Sequence, residues 1–311
     1  RALGESRGRP ACLATVIRTS GSTPRHPGAK MLIFADGTTL GTIGGGRVEL
    51  EVTTAGVKIA GGAPAQRVTH HLVRDLAMCC GGSMELYLEP LGPSAATLDR
   101  AVAAMAARAT VDLVTHLDGA PKSIEEPNDA TMRAPQVDGM CFIEPIRPRA
   151  RAIIFGCGHV SRALGPLLAS VDFDVVICDD NETGAIEAEL GSWAGSVVDS
   201  FDPRDVANAC GGLGTGDFAI VLTRDHAIDQ RIVEGLLPHE DIAYLGLIGS
   251  QRKVSMFRDR LLHKGVCDEV GWARISAPIG IDISAETPHE IAVSIAAELV
   301  QRRNREHRGS R

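Results

Sequence analysis

Apolar positions in the second half of the chain fall into short blocks separated by helical runs. ARAIIFGCGHVSRALGPLLAS reads as a buried strand over Arg151–Phe155, a glycine turn, then an amphipathic helix with Val160, Ala163, Leu164, Leu167 and Leu168 on one face. FDVVICDD is a further strand that ends in acids. DFAIVLT and AYLGLIGS repeat the unit, with helices expected from about Ile228 and Gln251. Strands alternating with helices predict a doubly wound parallel sheet. Thr287-Pro288-His289-Glu290 marks a last helix: a Thr cap, Pro at the first position, and Glu three residues after the cap. Ala292, Ile295, Ala296 and Leu299 then recur at helical spacing.

The first half has a different rhythm. CLATVIRT reads as a strand, and KMLIFADGTTLGTI as a hairpin turning at Asp36-Gly37. Arg47–Ala60 reads as a helix with Val48, Val52, Ala55 and Ile59 on one side, ended by Gly61-Gly62. MELYLEP is a strand, LDRAVAAMAARA a helix and GMCFIEPI a strand. Residues 119–139, rich in Pro, Gly and acids, read as one long loop. The fold class is therefore α/β: an α+β domain over 1–148, and a Rossmann-like domain over 149–311, with the boundary near Arg147-Pro148-Arg149.

The 311-residue length suits two domains. A net charge of −7 leaves no basic surplus to neutralise nucleic-acid phosphates. The basic end QRRNREHRGSR reads as a fraying helix end. No run of about 18 apolar residues points to a membrane span, and no signal peptide is visible in a chain that starts at Arg1. Eight scattered cysteines, none in a C-x-x-C pair, suit reduced cytosolic thiols. At 4% aromatic residues, stacking platforms are scarce.

Candidate chemistry gathers at glycine-rich turns. Gly156-Cys157-Gly158-His159-Val160-Ser161 follows a strand and opens a helix, as a dinucleotide fingerprint does. Gly158 would let the helix start face a phosphate, and Asp179 or Asp180 stands where an acid bonds a ribose hydroxyl. Ser161 replaces the third glycine and Pro166 interrupts the helix, so a sheet that holds no nucleotide is the competing reading. Thr223, Arg224, Asp225 and His226 end another strand. Asp225 beside His226 is a general-base candidate, or else a capping Asp and a surface His. Gly249, Ser250 and Lys253 form a second possible anion site, and Ser276–Gly280 is a further turn pointing the same way.

In the first domain, GSTPRHPGAK (21–30) is not a Walker loop, yet Ser22, Thr23 and Arg25 are able to hold an anion. Gly44, Gly45 and Gly46 precede a helix, so their N–H groups suit a phosphate. Flexible hairpin closure is the alternative. In MCCGGS (78–83), a disulfide between Cys79 and Cys80 is disfavoured, because neighbouring Cα atoms lie about 3.8 Å apart and disulfides span roughly 4.4–6.8 Å. A thiol held on a turn by Gly81 and Gly82 competes with a buried, packing cysteine. The three loops are expected to converge with Cys79 and Cys80.

Taken together, GSTPR…PGAKM, GTIGGG, CCGG, IIFGCGHVSRAL, TRDHAID, YLGLIGS and PIG…TPHEIAVSIAAEL resemble the XdhC/CoxI family of xanthine dehydrogenase accessory proteins, in the family's order and over nearly the whole chain. The resemblance implies a maturation factor rather than an enzyme. Such a factor binds molybdenum cofactor, protects it while a cysteine desulfurase sulfurates the metal, and delivers it to a molybdenum hydroxylase. A cytoplasmic homodimer is implied too. Cys80 would then be the thiol at the molybdenum or dithiolene end, where a soft ligand suits the metal. Many family members carry Cys where this chain has Arg47, which favours a phosphate clamp at that position. The rival expectation is an NAD(P)-dependent oxidoreductase that uses Gly156, Gly158, His159 and Asp179, with His226 as base.

Overall fold

The computed structural model describes residues 8–76, 81–127, 134–180 and 190–308. The chain divides into two compact units, Arg1–Pro148 and Arg149–Ser310.

In unit 1, β1 (Ala11–Ser20) lies between β2 (Lys30–Phe34) and β5 (Ser83–Pro90). The edges are β3 (Thr39–Gly41) and β4 (Gln66–His71), giving an antiparallel five-stranded order β3-β2-β1-β5-β4 among the described residues. Helices α1 (Gly46–Ala60), α2 (Leu72–Leu76) and α3 (Ala95–Ala106) intervene. Both faces of β1 are buried, which is why CLATVI shows no clean alternation. Cys12, Ala14 and Val16 join Val48, Val52 and Ile59 of α1 on one face. Ala11 and Leu13 pack with Leu98 of α3 and Leu113 on the other.

The buried stripe of α1 is Val48, Val52, Gly56 and Ile59, and Ala55 packs partly buried against the same core, as expected. A Cβ on Gly56 would lie 2.4 Å from the Ile33 side chain, so the helix backbone itself rests on β2.

A second antiparallel sheet runs β7-β6-β9-β8, from β6 (Val111–His116), β7 (Ser123–Glu125), β8 (Gln136–Asp138) and β9 (Cys141–Ile146). The span 119–139 is therefore not one loop. It carries β7 and β8, while 128–133 lie outside the described residues. These three-residue strands satisfy the free edges of β6 and β9. They are too short for a periodic signal.

Unit 2 holds a parallel sheet of order β12-β11-β10-β13-β14-β15 among the described residues, the doubly wound arrangement. Its strands are β10 (Arg151–Phe155), β11 (Asp174–Cys178), β12 (Ser196–Val198), β13 (Asp217–Val221), β14 (Tyr244–Leu247) and β15 (Ile275–Ser276). Among the described residues, its helices are α4 (His159–Ser170), α5 (Pro203–Ala209), α6 (His226–Leu236), α7 (Gln251–His263), α8 (Glu269–Ala273) and α9 (Pro288–Arg308). Ala152 and Ile154 of β10 face one core with Leu164, Leu168 and Ile295. Ile153 and Phe155 face the other with Ile232, Val233 and Leu261.

Three local expectations change. The buried stripe of α4 is Ser161, Leu164, Gly165 and Leu168, and Leu167 is exposed. Gly165 is buried because the Trp193 ring lies against it, where a Cβ would be 1.9 Å from a ring carbon. Pro166 does not break α4, and its ring sits on the exposed side. Helix α6 begins at His226 rather than near Ile228, since the Asp225 carboxylate caps it by accepting the Ala227 N–H at 2.6 Å.

The expected cap of α9 is present. The Glu290 carboxylate accepts the Glu286 and Thr287 N–H groups, both at 2.9 Å, and Thr287 Oγ1 accepts the Glu290 N–H at 3.3 Å.

At the N-terminal ends of the central strands, Arg151 forks onto Asp217 through two 2.8 Å bonds. Its remaining N–H groups donate to the carbonyls of Cys210 and Gly212, at 2.7 and 2.8 Å. Both side chains are nearly fully buried, so neither charge tolerates loss of the other. Asp217→Ala is expected to destabilise unit 2 by about 3–5 kcal/mol, read as a lower denaturation midpoint for that unit with unit 1 unaffected.

Candidate functional site

In unit 1 the loop at 21–25 is the hub. The Gly82 N–H donates to the Ser22 carbonyl at 3.0 Å, and the Leu72 N–H donates to the Gly82 carbonyl at 3.0 Å. A Cβ on Gly82 would lie 2.3 Å from the Ser20 carbonyl oxygen and 2.5 Å from that of Ser22. On its other side, a Cβ on Gly44 would lie 2.4 Å from the Pro24 ring. Ser22, Thr23, Arg25, Gly44, Gly81 and Gly82 are thus brought together. Thr23 Oγ1 turns inward and donates to the Arg25 carbonyl at 3.0 Å. Ser22, Arg25, Arg47 and Gly81 are exposed. Cys79 and Cys80 precede Gly81 in the chain and lie outside the described residues.

The triple glycine does gather an anion, but an internal one. Glu49 Oε1 accepts the N–H groups of Ile43 (2.9 Å), Gly44 (3.2 Å) and Gly45 (2.9 Å), and also the Thr42 hydroxyl. Left-handed φ angles of 128°, 74° and 68° at Gly44, Gly45 and Gly46 shape this turn. Two of the N–H groups expected to face a phosphate, those of Gly44 and Gly45, therefore face Glu49. Sequence reasoning missed it, although an acid in the first helical turn behind a glycine loop follows the reciprocal capping pattern.

In unit 2, parallel pairing sets the turns after β10, β13, β14 and β15 at one sheet edge. Gly156 has φ 103°, and a Cβ there would lie 2.6 Å from the Leu222 carbonyl oxygen, so the glycine turn seats directly on the end of β13. Gly158 and His159 are exposed.

Asp179 departs from expectation. It is 1% exposed, and its Oδ2 accepts the Cys157 N–H at 2.8 Å. It braces the turn instead of meeting a ribose. The residue after it, Asp180, is half-buried and paired with Arg224 at 2.9 Å. Glu298 closes the last turn in the same manner, accepting the Tyr244 hydroxyl at 2.8 Å, the Ser276 hydroxyl at 2.5 Å and the Gly280 N–H at 2.6 Å. At the third turn, Ser250 Oγ caps α7 by accepting the Lys253 N–H at 3.4 Å, with Gly249 half-buried before it and the Lys253 side chain exposed.

The Asp225–His226 pair is replaced as well. Asp225 is a helix cap, and His226 Nδ1 instead lies 3.4 Å from Oδ2 of Asp229. Asp229 is 1% exposed and accepts the Thr223 hydroxyl at 2.6 Å. Burial raises its carboxyl pKa against these hydrogen bonds. One helical turn separates His226 from Asp229, a spacing the sequence carried but that adjacency obscured. Beside this edge a cavity of about 640 Å³ is lined by Asp180, Phe201, Arg204, Ile228 and Arg231, among others. Among the described residues, no cluster of His, Cys, Asp and Glu is able to hold a metal ion.

Comparison with known proteins decides the family. Residues 152–299 match the model described as the XdhC Rossmann domain, and residues 5–72 match that of the XdhC and CoxI family. The chain belongs to the XdhC and CoxI family. It is 28% identical over 315 residues to YqeB, an uncharacterised protein of Escherichia coli (strain K12), covering 96% of this chain and 45% of that one. The chain thus spans about half the length of that relative. It is 25% identical to the molybdenum cofactor insertion chaperone PaoD of the same organism, over 94% of this chain and 83% of PaoD. A crystal structure titled as a xanthine dehydrogenase from Bacillus halodurans superposes with a TM-score of 0.81 at 25% identity, covering 97% and 94% of the two chains. The XdhC-type architecture expected from the motifs is the one found.

Partial burial pushes the Glu49 carboxyl up, but hydrogen bonds from Thr42, Gly45, Ile43 and Gly44 outweigh it and hold the pKa below 4.5. A folded pKa below the unfolded one gives stability that is present above about pH 4.5 and lost as pH falls through the lowered value. Glu49→Gln keeps an acceptor but not the charge. It is expected to cost about 1 kcal/mol at pH 7, with the gap to wild type closing in denaturation curves taken below pH 4.5.

Proposed function

We propose that this chain carries molybdenum cofactor as cargo on the loop cluster of unit 1 and passes it to a xanthine-dehydrogenase-type molybdenum hydroxylase. The observation that carries this reading is the convergence of the 21–25, 44–47 and 81–82 loops, the last of which follows Cys79-Cys80 directly in the chain, together with the similarity to a molybdenum cofactor insertion chaperone. Cys80 supplies a soft thiolate to the molybdenum or dithiolene end. The exposed Arg25 and Arg47 pair with the pterin phosphate as charge-assisted donors. The N–H groups of Gly44 and Gly45 do not serve this purpose, because Glu49 already holds them. Holding the cofactor at a protein thiol keeps the metal end shielded while a cysteine desulfurase sulfurates it, and binding rather than turnover is the protein's work. The carrier is a homodimer in the cytoplasm. Among the described residues, no helix is long and apolar enough to cross a membrane.

A second reading, an NAD(P)-dependent oxidoreductase, draws on the exposed Gly158–His159 helix start and the Asp229-oriented His226 at the same sheet edge. The burial of Asp179 weakens it, because that carboxylate already accepts the Cys157 N–H.

Wild type purified from a molybdenum-replete host is expected to retain cofactor. Cys80→Ala should lose retention by about tenfold or more, with an unchanged denaturation midpoint. Arg25→Ala with Arg47→Ala should weaken retention in a salt-dependent way. Absence of cofactor from the wild type, together with tight NAD(H) binding, sinks the carrier reading in favour of the second.

A further inference from the structure

The second sheet of unit 1 carries a side-chain cluster that the carrier reading leaves unused. His116 of β6 and Cys141 of β9 stand directly opposite each other in the antiparallel ladder, so their side chains share a face. Cys141 Sγ lies 3.6 Å from His116 Nδ1. The other ring nitrogen, Nε2, lies 3.1 Å from Ser123 Oγ of β7. With Nε2–H donating to Ser123, the Nδ1 lone pair is turned to the thiol. The order thiol, imidazole, hydroxyl is that of a nucleophile, its base and the group that orients the base. All three residues are half-buried, open enough for a small reagent.

Three further cysteines are less accessible. Cys12, Cys157 and Cys178 are buried. Burial pushes the Cys12 thiol up to about 12 and the Cys178 thiol well above its ordinary value. Burial, then Asp268 and Glu269, raise Cys267. Asp138 of β8 stands opposite Cys141 on its other side and is exposed. Its charge repels anionic reagents such as acidic peptide disulfides, and leaves a small neutral oxidant as the fitting partner.

We propose that Cys141 is a peroxide-reactive thiol, with His116 as its base and Ser123 as the residue that positions that base. His116 Nδ1 takes the thiol proton, and the thiolate sulfur attacks one peroxide oxygen. The S–O bond forms as the O–O bond breaks. The leaving hydroxide recovers the proton from the imidazolium and departs as water. Sulfur is oxidised by two electrons to sulfenic acid and the peroxide is reduced. The chemistry stands apart from cofactor carriage and is tested without cofactor.

The full chain is treated with hydrogen peroxide, sulfenic acid is trapped with dimedone, and labelling is followed peptide by peptide by mass spectrometry. Cys141 is expected to label about tenfold faster than Cys267. His116→Gln should remove that advantage, and Ser123→Ala should reduce it and shift its pH profile. Hydrogen exchange over β6 and β9 reports whether each variant keeps the sheet. Labelling of Cys141 at the rate of Cys267, or an undiminished rate in a folded His116→Gln, overturns the proposal.

Discussion

The loops of unit 1 meet because Gly82 has no side chain. Its Cα sits where a methyl group would collide with two carbonyl oxygens of the 20–22 segment, and the chain holds it there with backbone hydrogen bonds to Ser22 and Leu72. Gly44 repeats the arrangement against Pro24. Such close packing leaves little freedom, so, under the proposed function, the loops are ordered before any cargo arrives and binding incurs less ordering cost. The same constraint acts in unit 2, where Gly156 seats the glycine turn on the end of β13.

A second theme is that the chain's own carboxylates fill the positions where glycine-rich turns would otherwise take an anion. Glu49 holds the N–H groups of 43–45, Asp179 holds the Cys157 N–H, and Glu298 closes the turn at Gly280. Each removes orphan donors and replaces a mobile ligand with a fixed one. What stays exposed around these turns is a set of outward side chains. These are Arg25 and Arg47 in unit 1, and Arg224 and His226 in unit 2. Under the proposed carrier function, this division suits release of the cargo, since exposed cations grip less tightly than a closed nest.

Much of this was legible in the residues. The alternation of apolar blocks with helical runs gave the parallel sheet. Thr287 and Glu290 marked the last helix start because a cap is a local affair of four residues. The short strands at Ser123–Glu125 and Gln136–Asp138 were not legible, since three residues carry no period and the partner strands supply the reason to pair. The burial of Gly56 was hidden for the same reason, because the depth of a helix against a sheet is set by Ile33 across the interface.

The sequence by itself determined the fold class, the family and the neighbourhoods of chemistry, because periodicity, caps and glycine turns act over a few residues. Only the tertiary structure decided which atoms each turn faces. Glu49 rather than a phosphate meets the triple glycine, Asp179 is turned inward, His226 answers to Asp229 rather than to Asp225, and Cys141 stands opposite His116. Hydrogen bonds select partners by distance and direction in space, and neither can be read from separation along the chain.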